Sequence, residues 1–118
     1  MSEIDNPIGI IVGEQLSAVT FVMDYVQLSF NGYGLTAITQ PVVRVGTASV
    51  EWGQAGYRDT LCERITHIVR TASIVEGEEI SIVFDDGSSI MVSLRQEDLR
   101  GYSAEAATFE YDDHLWVW

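Results

Sequence analysis

Between Glu79 and Arg95, apolar and polar residues alternate with a period of two, twice over. Ile80, Ile82 and Phe84 fall on one side of a first segment, Ile90, Val92 and Leu94 on one side of a second, with Asp85-Asp86-Gly87 between them. A helix gathers residues three and four apart; this spacing gathers residues two apart, so the stretch reads as a β-hairpin with one buried face. A two-residue loop at Asp86-Gly87 would set the isoleucines opposite serines. A three-residue loop with Gly87 in the left-handed region pairs Phe84 with Ser88, Ile82 with Ile90 and Ile80 with Val92. That register is expected, because a slip of one residue turns a whole face out of the core.

The segment Tyr25 to Thr39 follows the same logic, with Val26, Leu28 and Phe30 on one arm and Leu35, Ala37 and Thr39 on the other. Taking Gly32-Tyr33 as a type II′ loop pairs Phe30 with Leu35 and Leu28 with Ala37. Each hairpin is preceded by another candidate strand: Leu16 to Met23, with Val19, Phe21 and Met23 on one face, and Ile65 to Ser73. Val26-x-Leu28-x-Phe30-Asn31-Gly32 resembles Ile80-x-Ile82-x-Phe84-Asp85-Asp86-Gly87. Two readings follow: two related halves, a hairpin duplication over residues 14–45 and 63–95, or two hairpins alike for physical reasons alone.

The rest of the chain is short strands and turns. Residues 1–7 read as a tail ending at Pro7, and Ile8 to Val12 as an edge strand or the lead-in to a longer one. Gln40-Pro41 breaks the sheet. Val42 to Val45 and Ala48 to Trp52 form short strands around Gly46, and a polar loop runs from Gly53 to Gly56. Asp59 or Thr60 caps a single helical turn through Leu61, Cys62 and Arg64. Gln96 to Ala107 is irregular, with room for one helical turn. Thr108 to Tyr111 and His114 to Trp118 form a closing hairpin around Asp112-Asp113. The expected fold is mainly β with little helix, one domain over residues 1–118: an antiparallel sandwich or a curved, barrel-like sheet built from hairpins.

Charge narrows the choice of partner. Eighteen acidic residues against six basic ones give a formal net charge of -12. Such a field repels phosphate backbones and anionic lipid, so neither nucleic acid nor a membrane surface is expected, whereas a basic protein would be attracted. The competing reading is that acidity only keeps an apolar-rich domain in solution. A single cysteine, Cys62, rules out an intramolecular disulfide and fits a reducing compartment. With no basic leader and no apolar run of roughly 20 residues, a cytoplasmic location is expected.

No residue pattern nominates a catalytic centre, and no cofactor or metal is expected. The sequence contains no G-x-S-x-G, H-E-x-x-H or C-x-x-C. His67, on a predicted strand, reads as a hydrogen-bonded structural residue, and His114 as the start of a strand after a solvated turn. Cys62 is expected to be a buried thiol, although Arg58 and Arg64 are close in sequence. Glu76-Gly77-Glu78-Glu79 and Asp85-Asp86 lack the spacing of a calcium loop and read as charged hairpin ends. The aromatic residues carry more. Trp116 and Trp118 share one face of the last strand with His114. Either they dock into the core, or their face is partly open together with Trp52, Tyr57 and Tyr102, edged by Asp112 and Asp113, as a partner-binding surface.

The last third contains Val92-Ser93-Leu94-Arg95-x-Glu97-Asp98, then Ala106-Ala107-Thr108-Phe109, then Leu115-Trp116-Val117-Trp118. It resembles small bacterial β-rich proteins of unknown function, some of which are similar to immunity proteins of toxin systems. The resemblance implies a cytoplasmic, non-enzymatic binding role and supplies no catalytic residue. The first expectation is therefore an acidic, immunity-type inhibitor that covers a basic protein. Two others stand beside it: a small-molecule-binding barrel lined by Tyr25, Trp52, Tyr57 and Trp116, and a homodimer formed through an edge strand.

Overall fold

The structure is a computed structural model that describes residues 6–23, 25–99 and 105–118. Its elements are β1 (Ala18–Val22), β2 (Tyr25–Phe30), β3 (Tyr33–Ala37), β4 (Val42–Val45), β5 (Ala48–Val50), α1 (Tyr57–Cys62), β6 (Val69–Val75), β7 (Glu79–Phe84), β8 (Ser89–Ser93), β9 (Ala107–Tyr111) and β10 (His114–Val117). They form two antiparallel sheets of five strands, ordered β1-β2-β3-β9-β10 and β5-β4-β8-β7-β6. The period-2 faces meet in one core: Val26, Leu28, Phe30, Leu35 and Phe109 from the first sheet, Val43, Ile80, Ile82, Phe84, Ile90 and Val92 from the second. The architecture is a mainly β sandwich, not a closed barrel. Among the described residues, no helix is long and apolar enough to cross a membrane.

The two halves of the chain share one pairing scheme. Each is a three-strand meander followed by a hairpin that leaves its own sheet and pairs with the third strand of the other meander, so that β4 lies on β8 and β9 on β3. The registers coincide residue for residue. Val43 lies opposite Ile90 and Val50, as Phe109 lies opposite Leu35 and Trp116. Leu28 lies opposite Val19 and Leu35, as Ile82 lies opposite Ala72 and Ile90. Between the halves, Gln15 bridges Ile68, its own counterpart. The bonds around that bridge come in matched pairs: Leu16 N–H to His67 C=O (3.0 Å) with Val69 N–H to Glu14 C=O (2.9 Å), and Thr66 N–H to Leu16 C=O (2.8 Å) with Gly13 N–H to Val69 C=O (2.9 Å). Equivalent residues pairing with each other mark a local pseudo-two-fold axis. Even a backbone irregularity repeats, since Thr66 (φ 83°) occupies the left-handed position that Gly13 (φ 92°) fills in the first half.

The organising hairpin has the expected register, with Ile82 opposite Ile90, Ile80 opposite Val92, the Phe84 N–H bonded to Ser88 C=O, and Gly87 at φ 87°. The first hairpin differs from its expected register. Its loop is Asn31-Gly32, both at positive φ, which pairs Phe30 with Tyr33 and Leu28 with Leu35. Asparagine tolerates the left-handed region, so Asn-Gly makes a type I′ turn whose twist suits the strands, and the apolar faces still match because each partner moves by two. Ile8 to Val12 is not a strand: Pro7–Ile11 is a 3-10 segment with proline at its start, and it buries Ile8 and Ile11 three residues apart. Helix α1 begins at Tyr57 after left-handed Gly56, with no side-chain cap from Asp59 or Thr60. β6 starts at Val69 rather than at Ile65, and Met23 is exposed instead of sharing the inward face of Val19 and Phe21.

Candidate functional site

Among the described residues, three places gather chemically useful side chains. The first is the end of the first sheet, where β9 and β10 form a hairpin around Asp112-Asp113. Asp112 sits at φ 50°, the position occupied by Gly46 (φ 61°) in the related β4–β5 hairpin. Short acidic side chains tolerate that conformation, so the loop stays at two residues and Tyr111 pairs with His114. Alternation then puts Phe109, Tyr111, His114 and Trp116 on the inward side and Glu110, Leu115 and Val117 on the outward side.

The inward rings extend beyond the core as a continuous stack. Trp116 lies 5.2 Å from Tyr111 at 21°, 5.7 Å from His114 and 5.9 Å from Phe109, and Tyr33 closes edge-on against Tyr111 at 5.4 Å. Trp118 is held by its backbone to Ala107, its N–H donating at 2.9 Å and its carbonyl accepting at 3.3 Å. Both tryptophans are half-buried against the core. Outward, Leu115 is 59% and Val117 49% exposed. Between this hairpin and the 3-10 segment opens a cleft of about 750 Å³, lined by Pro7, Ile10, Tyr111, His114, Leu115 and Trp116. Glu110, Asp112 and Asp113 are exposed on the same hairpin.

The second place joins α1 to the turn between β7 and β8. His67 lies in the loop before β6, not on a strand. Its Nδ1 is 3.0 Å from Asp85 Oδ1 and 3.7 Å from Asp86 Oδ2, while Arg64 Nη1 donates to that same Asp86 oxygen at 3.1 Å. The backbone N–H and hydroxyl of Ser88 donate to Asp86 Oδ1. The bond from His67 holds the Asp85 carboxyl below the usual carboxylate range, and the bond from the Ser88 hydroxyl does the same for Asp86. One nitrogen of His67 and one oxygen of each aspartate lie within 4.8 Å of one another, near enough to share a cation. A cation would have to displace a buried guanidinium, however, and both Asp86 oxygens already have donors. The group is a clamp on the fold, so Asp85 and Asp86 are more than charged hairpin ends. In the first half the matching positions carry a simpler contact, Asn31 Nδ2 to Glu14 Oε1 at 3.0 Å.

The third is a cleft of about 480 Å³ on the outer face of the second sheet, where Glu51, Glu78, Glu79 and Asp98 surround Met91 and Arg95. Arg95 pairs with Asp98 at 3.2 Å, and the Ser93 hydroxyl, donating to Asp98, is the main cause of that carboxyl's lowered pKa.

The residues nominated from sequence separate into two groups. Asp112, Asp113, Trp116 and Trp118 lie together on the terminal hairpin. Trp52 and Tyr57 belong to the other corner of the sandwich, where Tyr57 is only 3% exposed and its hydroxyl donates to the Pro41 carbonyl at 2.6 Å. Tyr57 is a core residue, and burial pushes its phenol far up. Trp52 meets Tyr57 edge-on at 5.9 Å and carries the Arg58 guanidinium over its ring. Tyr102 lies outside the described residues. The barrel lining of Tyr25, Trp52, Tyr57 and Trp116 is not assembled: Tyr25 and Trp52 border a cavity of about 140 Å³, Trp52 and Tyr57 one of about 340 Å³, and Trp116 the separate terminal cleft. Cys62 is exposed rather than buried, because α1 turns that side to solvent; partial burial and the Asp59 carboxylate push its thiol up, away from nucleophilic activation. Ile10, Leu115 and Val117 were not nominated. The signal for Leu115 and Val117 was an uncharged last strand with large apolar residues on both faces; Ile10, in the apolar run after Pro7, gave none. No family model matches the chain, and no curated protein and no solved structure matches it significantly.

Proposed function

We propose that this protein is a non-catalytic interaction module that docks a basic protein on its β9–β10 hairpin, and that its role is that of an immunity-type inhibitor. The observation that carries this reading is the hairpin itself, which sets a half-open aromatic stack and exposed Leu115 and Val117 beside three exposed carboxylates in a chain of net charge -12. Aromatic anchors next to an apolar cleft supply affinity, and a field of one sign supplies steering and partner choice. A cytoplasmic location belongs to the same proposal.

Affinity capture from the native lysate tests it, run at low and high salt with the wild type and with Trp116→Ala, Asp112→Asn/Asp113→Asn and Trp52→Ala variants. One basic protein should be recovered, less of it at high salt. Recovery should fall at least about tenfold with Trp116→Ala, the loss of a contact worth about 1.4 kcal/mol or more. Trp52→Ala should retain the partner. Recovery of nothing at either salt, or loss with Trp52→Ala alone, would overturn the assignment.

A further inference from the structure

We propose that the partner contributes an extended, arginine-bearing segment that adds to β10 as a sixth strand of the first sheet. This deepens the proposed function and rests on it. The backbone geometry comes first. Tyr111 and His114 flank a two-residue loop and so form a hydrogen-bonded pair, and Ala107 and Trp118 exchange both of their bonds. In an antiparallel ladder such pairs alternate, so His114, Trp116 and Trp118 bond to β9 while Leu115 and Val117 aim their N–H and C=O groups at the outer edge of the sheet. Among the described residues no strand lies on that side.

The cleft sits where an added strand would run. Leu115 and Trp116 project from opposite faces of β10, yet both line it. A cavity that follows the strand's edge is bordered by residues of both faces, as this one is. The other sheet edges are protected: the 3-10 segment packs on β6, α1 packs on β1 with Arg58 over Phe21, and β5 is three residues long and followed by Glu51. At the pseudo-symmetric position to Glu51 stands Val117. Short strands and charges are how sheet edges resist pairing, and β10 has a longer, uncharged edge in their place.

Charge and rings choose the occupant. Glu110, Asp112 and Asp113 flank the edge, and the stacked faces of Tyr111 and Trp116 suit a guanidinium. The chain itself shows that preference at its other corner, where Arg58 lies 5.8 Å from the Phe21 ring and 5.9 Å from that of Trp52. A strand with arginine at alternate positions would set its guanidinium groups on the rings from one face while its backbone pairs with Leu115 and Val117.

The test uses a blocked peptide of about six residues, an ordinary strand length, alternating arginine and valine. Binding to the intact protein is followed by calorimetry and by the amide shifts of Leu115 and Val117. Two changes remove the ladder without touching charge: Leu115→Pro, which removes an N–H that β9 does not use, and N-methylation of the peptide at alternate residues, which leaves the protein intact. Salt-weakened binding that falls at least about tenfold with either change is expected. Equal affinity for the N-methylated peptide would overturn strand addition and leave the acidic docking surface standing. Failure of the peptide to bind at low salt, while the lysate partner is still captured, would overturn the arginine-bearing strand; failure of both would overturn the docking surface as well. A concentration-dependent dimer that Leu115→Pro dissolves would identify a second copy as the occupant and overturn the proposal.

Discussion

The two halves of this protein have the same strand pairings and different surfaces. Where β4–β5 carries Arg44, Gly46, Thr47, Ala48, Ser49, Val50 and Glu51, the related β9–β10 hairpin carries Glu110, Asp112, Asp113, His114, Leu115, Trp116 and Val117 at the same register positions. The inward positions keep one duty, covering the core from both sides. The outward and edge positions have exchanged a small, guarded edge for an apolar one beside acidic residues. Backbone pairing accounts for the shared architecture, and side-chain identity at a few solvent-facing positions accounts for the difference. Function is therefore best sought where the halves disagree.

That comparison can be tested at equivalent positions. Phe30 and Phe84 are both fully buried and occupy matched sites in β2 and β7. Replacing either by alanine should cost about 3–5 kcal/mol in urea unfolding, and the two costs should agree within about 1 kcal/mol. A difference larger than that would mean that the halves share pairing but not packing.

The polar clamp should break the equivalence. Asp86→Ala removes an acceptor from nearly buried Arg64 and should cost about 1.5–3 kcal/mol, whereas Asn31→Ala, at the simpler Glu14 contact, should cost about 0.5–1.5 kcal/mol. Asp85 and Asp86 titrate lower in the folded chain than in the unfolded one. Their contribution is therefore complete above the unfolded carboxylate value near about 4, and is lost as pH falls from there through the lower folded values. The stability gap between wild type and Asp86→Asn should narrow as pH falls below about 4. A gap that widens below about pH 4 would contradict the clamp.

Thr66 is strained where Gly13 is not. Thr66→Gly should raise stability by up to about 1 kcal/mol, because relief of a β-branched residue at positive φ outweighs the added freedom of the unfolded chain. Asp112→Gly, matching Gly46, should change stability by only a few tenths of a kcal/mol, since aspartate tolerates the left-handed region. Thermal unfolding of both variants would rank the two sites, and a larger gain at Asp112 would reverse the assignment of strain.

Much of the local structure was legible in the residues. Period-2 alternation located β2, β3, β7 and β8 and named their buried faces, and Gly87 set one register correctly. Asn31-Gly32 set the other, but Gly32-Tyr33 offered a competing loop with the same apolar face. The 3-10 segment at Pro7–Ile11 escaped because a run of apolar residues has no period of its own when glycine interrupts it. Of the site, the terminal tryptophans and Asp112-Asp113 could be nominated, since both lie in one local hairpin. Tyr57 could not be separated from Trp52, because burial of a tyrosine depends on which strand passes over it.

Sequence alone determined most of the strands, the apolar face of the two central hairpins and where most hairpins turn, since these depend on residues within a few positions of one another. Tertiary structure alone decided that β4–β5 and β9–β10 cross to the opposite sheets, that Arg64 and His67 meet Asp85 and Asp86, and that β10 is an edge strand among the described residues. Pairing between distant strands is made by backbone groups that every residue carries, so no local pattern specifies the partner. The choice is settled by closing two apolar faces over one core.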